Sequence, residues 1–301
     1  PLQLPALSYA WYMHVNFMKY KWLYFGISLA VLIPGLYSLI RYGLRLSIDF
    51  TGGTLLEIQT SAKNFSEIAK NQNLELSSVQ SSENNTYLLR FKHLDKDQNE
   101  KFKSALGKDV VEKRFESVGP VVGAEMTKKA LLAVVLASLA IIIYIAWSFR
   151  EVPRPYSSWK FGVSAVVALL HDALVVLGVF SLFGHFYRVE IDSLFVTALL
   201  TVIGFSVHDT IVVFDRVREN LPKMFNKPFS EIVDFSLTET LVRSLNTSLT
   251  VILTLTALLL FGGETIRWFV VALLVGIISG TYSSIFNATA LLVWWEERLG
   301  H

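Results

Sequence analysis

Six long apolar runs limit this 301-residue chain to folds that cross a membrane. Hydrophobic residues make up 52% of the sequence and charged residues 17%, whereas soluble domains are about a quarter charged. A transmembrane helix needs roughly 20 mainly apolar residues, and six segments meet that requirement. The predicted spans cover residues 20–40, 130–147, 161–183, 193–214, 244–261 and 268–295.

The composition also excludes some kinds of site. The chain has no cysteine, which excludes a disulfide framework and a thiolate metal site. The formal net charge of +2 points to no partner class, because the charges lie mainly in predicted loops. We expect no metal, no organic cofactor and no nucleic-acid partner.

The orientation is predicted from the basic residues near the ends of the spans, because cytoplasmic loops carry an excess of Lys and Arg. Basic residues cluster before the first span and in the second-to-third and fourth-to-fifth loops: Lys19, Lys21, Arg150, Arg154, Lys160, Arg216, Arg218, Lys223 and Lys227. The opposite short loops carry only Arg188 and Arg267. We therefore predict a multi-pass protein of the inner membrane, with a cytoplasmic N-terminal segment, 1–19, and a cytoplasmic tail, 296–301.

A single soluble domain, residues 43–129, is predicted between the first transmembrane helix, 20–42, and a five-helix bundle, 130–295. By this topology the domain lies outside the cytoplasm. Its apolar spacing predicts strands at 54–59, 76–80, 86–91 and 110–118, with helices at 64–71 and 95–106. The order βαββαβ predicts a ferredoxin-like α+β fold. Because the domain lacks clustered His and a nucleophile–base pair, we expect binding or mechanical work rather than catalysis.

The stretch LSIDFTGGT, residues 46–54, precedes this domain. Gly52 and Gly53 permit backbone angles that are closed to other residues. The pair predicts either a turn between the span and the first strand or a hinge on which the domain swings, and the two alternatives are compatible.

Ionisable pairs interrupt two of the spans. His171-Asp172 lies in the third span and His208-Asp209 in the fourth, both in the form H-D-x-[LI]-V-V. A charge at the bilayer centre costs a few kcal/mol, so such groups usually face a partner or a water-filled path. We predict a proton relay that includes Asp209, Asp172 and His208; the alternative is a static ion pair between helices. His171 is predicted to pack between helices.

A polar face follows the fifth span, where Arg243, Thr247, Thr250 and Thr254 recur at helical spacing and Asn246 flanks them. This face is expected to turn toward protein or water. Arg243 is predicted to act as a switchable counter-ion of Asp209, and the alternative is a side chain that extends to the membrane interface.

The sixth span carries small residues at the same spacing: Gly276, Gly280, Ser283 and Asn287. Two small residues four apart are typical of membrane helices that pack closely. Gly276 and Gly280 are therefore predicted to serve helix packing.

Two motifs carry a resemblance to a known family. LSIDFTGGT after a first span and GFSVHDTIVVFDRVREN in the fourth resemble the SecF family of the bacterial Sec export machinery, an RND-like group, over nearly the whole chain. His208 stands where Asn is common in that family. The resemblance implies that Asp209 and Arg243 belong to a proton path, to which a second subunit adds a further Asp.

The resemblance also implies a function and a set of partners. A SecF protein works with SecD, as a separate or a fused chain, and uses the proton-motive force to promote late preprotein translocation through SecYEG. YajC and YidC are further expected partners, and protons are the coupling ion.

Two other classes stay open from the residues. A stand-alone RND-type exporter of lipid or small molecules shares buried carboxylates, but is expected to have twelve spans and a larger domain. An intramembrane aspartyl protease needs Tyr-Asp and Gly-x-Gly-Asp contexts, whereas both Asp residues here follow His.

Overall fold

The six apolar runs all form long helices. The computed structural model describes residues 16–81, 84–107, 109–153 and 155–299, so most of the predicted N-terminal segment and the end of the predicted tail lie outside the described residues. Six helical segments are long and apolar enough to span a membrane: Phe17–Tyr42, Pro120–Ser148, Ser158–Phe186, Ser193–Asn220, Phe229–Phe261 and Glu264–Arg298. Each contains one predicted span, so the prediction of a six-span protein is confirmed.

These segments consist of helices α1 (Lys21–Tyr42), α5 (Pro120–Ser148), α6 (Ser158–Phe186), α7 (Ser193–Asn220), α8 (Phe229–Phe261), α9 (Glu264–Tyr282) and α10 (Ala288–Leu299). A short 3-10 helix, Phe17–Tyr20, precedes α1, and a π-helical turn, Ser283–Asn287, joins α9 to α10. Residues 229–241 form the first part of α8, because no Gly or Pro interrupts the helix before the predicted fifth span.

The described chain divides into two compact units. One unit contains α1, the second half of α5 and the helices α6 to α10. The other contains residues 46–133 together with 190–193. The boundary predicted at residue 129 therefore falls inside α5, which begins at Pro120 and runs on without interruption as the second span.

The smaller unit has the predicted order of elements. After a short helix α2 (Ile48–Thr51), which the sequence did not indicate, it consists of β1 (Gly53–Gln59), α3 (Phe65–Asn71), β2 (Leu76–Ser81), β3 (Thr86–Phe91), α4 (Lys96–Leu106) and β4 (Val111–Val118). The strands form one sheet in the order β2-β3-β1-β4, and every neighbouring pair is antiparallel. This is the ferredoxin-like arrangement that the order βαββαβ predicted.

The domain has its own apolar core. Buried side chains from the sheet and from both longer helices pack together, among them Leu56, Leu89, Phe91 and Phe102. Helix α4 begins with a capping box, in which the Asp95 carboxylate accepts from the backbone N–H of Gln98 at 2.7 Å. Because the core closes between residues 56 and 106, we expect the domain to fold without the membrane helices.

Residues 190–193 belong to this domain despite their distance in sequence. Ile191 forms a parallel bridge with Leu46, and its carbonyl accepts from the Ser47 N–H at 2.9 Å. The Asp49 carboxylate accepts from both the N–H and the hydroxyl of Ser193, at 3.0 and 2.8 Å.

Close helix contacts in the larger unit depend on small residues. Gly35 of α1 and Gly178 of α6 meet backbone to backbone, so that a Cβ built on Gly178 would lie 2.7 Å from the Gly35 Cα. One turn further along, the hydroxyls of Ser38 and Ser181 are 2.8 Å apart. A hydrogen bond between small side chains thus accompanies the close crossing.

An ion pair in the domain predicts how its stability depends on pH. The Lys103 ammonium donates to the Glu112 carboxylate at 2.7 Å, and this bond holds the pKa of Glu112 below its ordinary value of 4.5. Because the folded-state pKa is depressed, the stabilisation is complete above pH 4.5 and is lost as the pH falls through the lower, folded-state value. Glu112→Gln is expected to lower the free energy of unfolding of residues 46–119 by up to about 1 kcal/mol near pH 7, and by less in acid.

Urea denaturation over a pH series measures this effect. The control is Glu75→Gln, whose partner Lys92 and own side chain are both more than 70% exposed, so little change is expected at any pH. A Glu112→Gln effect that stays the same at low and neutral pH would contradict the assignment.

Candidate proton site

Asp209 is buried in the middle of α7, and no Lys or Arg side chain in the described part of the chain forms an ion pair with it. Its Oδ2 lies 3.5 Å from the Ser248 hydroxyl of α8, and its Oδ1 lies 3.6 Å from Nδ1 of His208. Ser248 in turn accepts from the Thr281 hydroxyl of α9 at 2.6 Å. Asp209 therefore stands at one end of a short series of hydroxyl groups.

Asp172 of α6 is fully buried and has a denser set of partners. Its Oδ2 accepts from the hydroxyls of Ser206 and Ser283, both at 2.5 Å, and its Oδ1 accepts from the Ser279 hydroxyl at 2.9 Å. Nδ1 of His171 lies 3.0 Å from the same Oδ1. Helices α6, α7 and α9 and the π-helical turn therefore meet at this carboxylate.

The segment from Ser279 to Ser284 contacts both carboxylate sites. Ser279 and Ser283 point to Asp172, whereas Thr281 points to Ser248 beside Asp209. Ser284 accepts from the Thr210 hydroxyl at 2.9 Å and donates to the Ser206 carbonyl at 3.0 Å. The π-helical turn adds one residue per turn here, and such turns often occur at functional sites.

Arg243 is not brought to Asp209. Its side chain is exposed at the surface of α8, and no ion pair joins it to an acidic residue in the described ranges. The reason lies in the helix geometry, because Ser248, which faces Asp209, is five residues from Arg243 and thus about 140° away around the helix. The predicted pairing of Arg243 with Asp209 is absent from this structure.

The rest of the predicted polar face is exposed together with Arg243. Asn246, Thr247, Thr250 and Thr254 are exposed, and the three threonines donate to carbonyls of their own helix. The buried side of α8 carries Ser244, Ser248 and Leu255 instead. The sequence led us to expect that this face turns toward protein or water, and within the described residues this chain does not cover it with its own side chains.

His208 is placed differently from His171. The His208 side chain is 66% exposed, whereas that of His171 is 11% exposed. His171, which we predicted only as a packing residue, thus lies deeper in the bundle than His208, which we predicted as part of the relay.

Sequence reasoning missed the partner of the motif's last residues. Arg216 makes two hydrogen bonds of 2.7 Å to the Glu239 carboxylate of α8, and Asn220 donates to the same carboxylate at 2.8 Å. The sequence indicated Arg216 only as one of the basic residues of the fourth-to-fifth loop. The only signal in the sequence was Glu239, a charged residue shortly before the predicted fifth span, and it did not indicate which basic residue it binds.

The predicted packing glycines lie where α9 crosses α7. A Cβ on Gly276 would lie 2.2 Å from the Val202 side chain, and a Cβ on Gly280 would lie 3.2 Å from the Ser206 Cβ and 3.6 Å from Asp172 Oδ2. Gly280 thus allows α9 to approach Ser206 and Asp172 closely.

The glycine pair at the start of the domain is held in a tight backbone contact. Gly52 and Gly53 have φ angles of 70° and 114°, which favour glycine. A Cβ on Gly52 would lie 2.9 Å from the Pro120 Cα, and one on Gly53 would lie 2.8 Å from the Phe91 carbonyl oxygen. The pair therefore forms a turn in which neighbouring backbone atoms leave no room for a side chain at either position.

Comparison with known proteins agrees with both motifs. The model of "Protein export membrane protein SecD/SecF, C-terminal" matches residues 98–298, and that of the "SecD/SecF GG Motif" matches residues 37–63. "Protein translocase subunit SecF" of Thermobaculum terrenum is 45% identical, with 94% of this chain and 95% of the relative covered. The chain belongs to the SecF family.

Other members of the family extend this match. The SecF subunit of Anaerolinea thermophila is 44% identical, with 94% of each chain covered. The crystal structure of SecDF from Thermus thermophilus, a translocon-associated membrane protein, matches with a TM-score of 0.80 and 32% identity over 94% of this chain. This chain spans only 39% of that SecDF chain. The similarity supports a multi-pass protein of the cytoplasmic membrane.

The contact at Gly53 predicts a large local effect of a single methyl group. Gly53→Ala is expected to destabilise the domain by about 1–3 kcal/mol, because a positive φ and the clash with the Phe91 carbonyl act together. Hydrogen exchange of the β1 and β3 amides in the full chain is expected to accelerate roughly five- to hundredfold.

The matched control is Gly119→Ala. Gly119 has ordinary φ, and nothing lies within 4 Å of a Cβ built on it. Equal exchange rates in the two variants would show that the close contact at Gly53 does not constrain the domain.

Proposed function

We propose that this SecF-family chain is an accessory subunit of the Sec translocase that uses the proton-motive force to promote late preprotein translocation. Asp209 is the observation that carries this proposal. A carboxylate buried in a membrane helix without a Lys or Arg partner is costly when it is charged, and binding a proton removes that cost. Asp209 is then the coupling site, protons are the coupling ion, and no organic cofactor or metal is required.

The proposed switch has two states. In one, Asp209 is protonated and is contacted by Ser248, as its burial and its lack of a basic partner in the described chain favour. In the other, Asp209 is charged, and α8 or α7 has turned to bring Arg243 toward it. One elementary charge that moves through 100 mV gains about 2.3 kcal/mol, which is enough to shift such an equilibrium by a modest amount.

The partners follow from the family and from the exposed face of α8. We propose SecD as the subunit that covers Arg243 and the threonines of that face, because a polar stripe on a membrane helix is expected to face protein or water. The SecYEG channel and the translocating preprotein are the further proposed partners, with YajC and YidC in the same assembly. The relatives are named as translocase subunits, and we propose a transport function without catalysis.

Replacing the carboxylate tests the role of Asp209. Asp209→Asn keeps the size of the side chain but fixes the site neutral, so the gradient-dependent component of export is expected to disappear. Export without a gradient, in which the family resemblance implies that SecA drives the preprotein into the channel, is expected to stay unchanged. The measurement is preprotein translocation into inverted vesicles that contain SecD, with and without an imposed proton gradient.

The control for this experiment is Asp215→Asn on the same helix. Asp215 is partly exposed and pairs with Arg218 at 2.6 Å, one turn away. This variant is expected to keep the gradient-dependent component. If Asp209→Asn keeps it as well, Asp209 has no part in coupling.

Single cysteines test the proposed orientation, in which both termini are cytoplasmic and the domain is outside. The chain has no cysteine of its own, and both Ser104, on exposed α4, and Ser157, before α6, can be replaced. An impermeant thiol reagent is expected to label Ser104→Cys in spheroplasts, and Ser157→Cys only after the membrane is opened. Labelling of Ser157→Cys in intact spheroplasts would contradict the proposed orientation and indicate the opposite one.

A further inference from the structure

Asp172 has the hydrogen bonds of a charged carboxylate. Its two oxygens each accept from two groups: Ser206 and Ser283 on Oδ2, and Ser279 and His171 on Oδ1. A carboxylate only accepts hydrogen bonds and has about four positions for them, so this set fills it. With Asp172 charged, Nδ1 of His171 carries a proton and donates to Oδ1.

The other ring nitrogen of His171 faces the side-chain amide of Asn287, which can either donate a hydrogen bond to it or accept one from it. Nε2 lies 3.5 Å from Nδ2 of Asn287, which also donates to the Ser28 hydroxyl at 2.5 Å. In neutral His171, Nε2 is an acceptor, which suits the NH₂ group. In protonated His171 both nitrogens are donors, and Nε2 then needs an acceptor.

The side-chain oxygen of Asn287 is available as that acceptor. The side chain is more than nine-tenths buried, and its Oδ1 has no hydrogen-bond partner among the described residues. A half-turn of the amide would present Oδ1 to a protonated Nε2, while the Ser28 hydroxyl, which donates as well as accepts, would adjust by rotation. Buried oxygens without a partner are uncommon, and a protonated Nε2 of His171 would give this one a donor.

No other strong charge faces the ring from the neighbouring helices. Between Lys21 and Arg41, α1 has only Tyr24 and Tyr37 as ionisable residues, and between Arg267 and Glu296 the segment α9 to α10 has only Tyr282. On α6, His171 and Asp172 are the only ionisable groups between Lys160 and His185, and on α7 the nearest to Ser206 are His208 and Asp209. Asp172 is therefore the counter-charge for a protonated His171.

We propose that His171 is a second proton-binding site of the bundle, with Asp172 as its fixed counter-ion and Asn287 as the amide that accepts from the charged ring. This inference rests on the proposed proton coupling for its purpose, but the binding of the proton is testable by itself. Asn287 ends the π-helical turn whose Ser283 holds Asp172. Protonation of His171 thus acts on the segment that also carries Thr281, which contacts Ser248 beside Asp209.

Imidazole ¹⁵N NMR on the full chain in lipid nanodiscs tests the site. Of the six histidines, the His171 signal is identified by its loss in His171→Gln. The wild type is expected to change from a ring protonated at Nδ1 alone to a ring protonated at both nitrogens as the pH is lowered. In Asn287→Leu, which cannot accept a hydrogen bond, this change is expected at a pH lower by about one unit or more.

The control is Asn246→Leu on the exposed face of α8, which is expected to leave the His171 titration unchanged. A His171 that keeps one proton over the whole pH range in which the chain stays folded would overturn the proposal. A titration that Asn287→Leu does not shift would overturn it as well, because the amide would then have no part in binding the proton.

Gradient-dependent export separates this inference from the proposed function. His171→Gln is expected to reduce the gradient-dependent component in inverted vesicles, with the component that needs only SecA unchanged. If Asp209→Asn abolishes that component while His171→Gln leaves it whole, proton coupling stands and the coupling role of His171 is refuted. If neither variant changes it, the proposed function fails, and the NMR titration alone decides whether His171 binds a proton.

Discussion

The packing of the segment Ser279–Ser284 against α6 and α7 is the contact on which the polar interior of the bundle depends. This segment supplies hydroxyl groups in two directions, to Asp172 on one side and to the surroundings of Asp209 on the other. A carboxylate in a membrane interior needs several donors to be tolerated, and serine and threonine supply them without adding charge. One helical segment therefore stabilises both acidic sites, and a shift of that segment changes both together.

Glycine makes this contact possible. A side chain at Gly276 would collide with Val202, and one at Gly280 would press on Ser206 and approach Asp172. Helices in lipid gain no hydrophobic stabilisation from association, so close packing and hydrogen bonds between helices must hold them together. The small residues of α9 thus act on the carboxylate sites as well as on packing, because the hydroxyls reach Asp172 only when the backbones are close.

The sequence predicted those parts of the structure that depend on periodicity and length. The six spans, the βαββαβ order and the burial of Asp209 and Asp172 follow from apolar runs, and the structure has all of them. The three serine hydroxyls that donate to Asp172 could not be predicted. Ser206, Ser279 and Ser283 show no special pattern in the sequence, and only the packing of the helices brings them to the carboxylate. Residues 190–193 were missed for the same reason, since a pairing with Leu46 and Ser47 across more than 140 positions leaves no local signal.

The position of Arg243 is the part of the site that this chain alone does not explain. The polar face of the fifth span and the family resemblance suggested an ion pair of Arg243 with Asp209. The buried side of α8 instead carries Ser244 and Ser248, so Arg243 faces outward. An exposed guanidinium and three threonines on a membrane helix are stable only where water, the interface or another protein reaches them. If SecD covers this face, as we propose, then the further Asp that the family resemblance implies for that subunit would compete with Asp209 for Arg243. Protonation of Asp209 would then release Arg243 to the partner, and the two bundles would change their pairing together, which a static ion pair within one chain could not achieve.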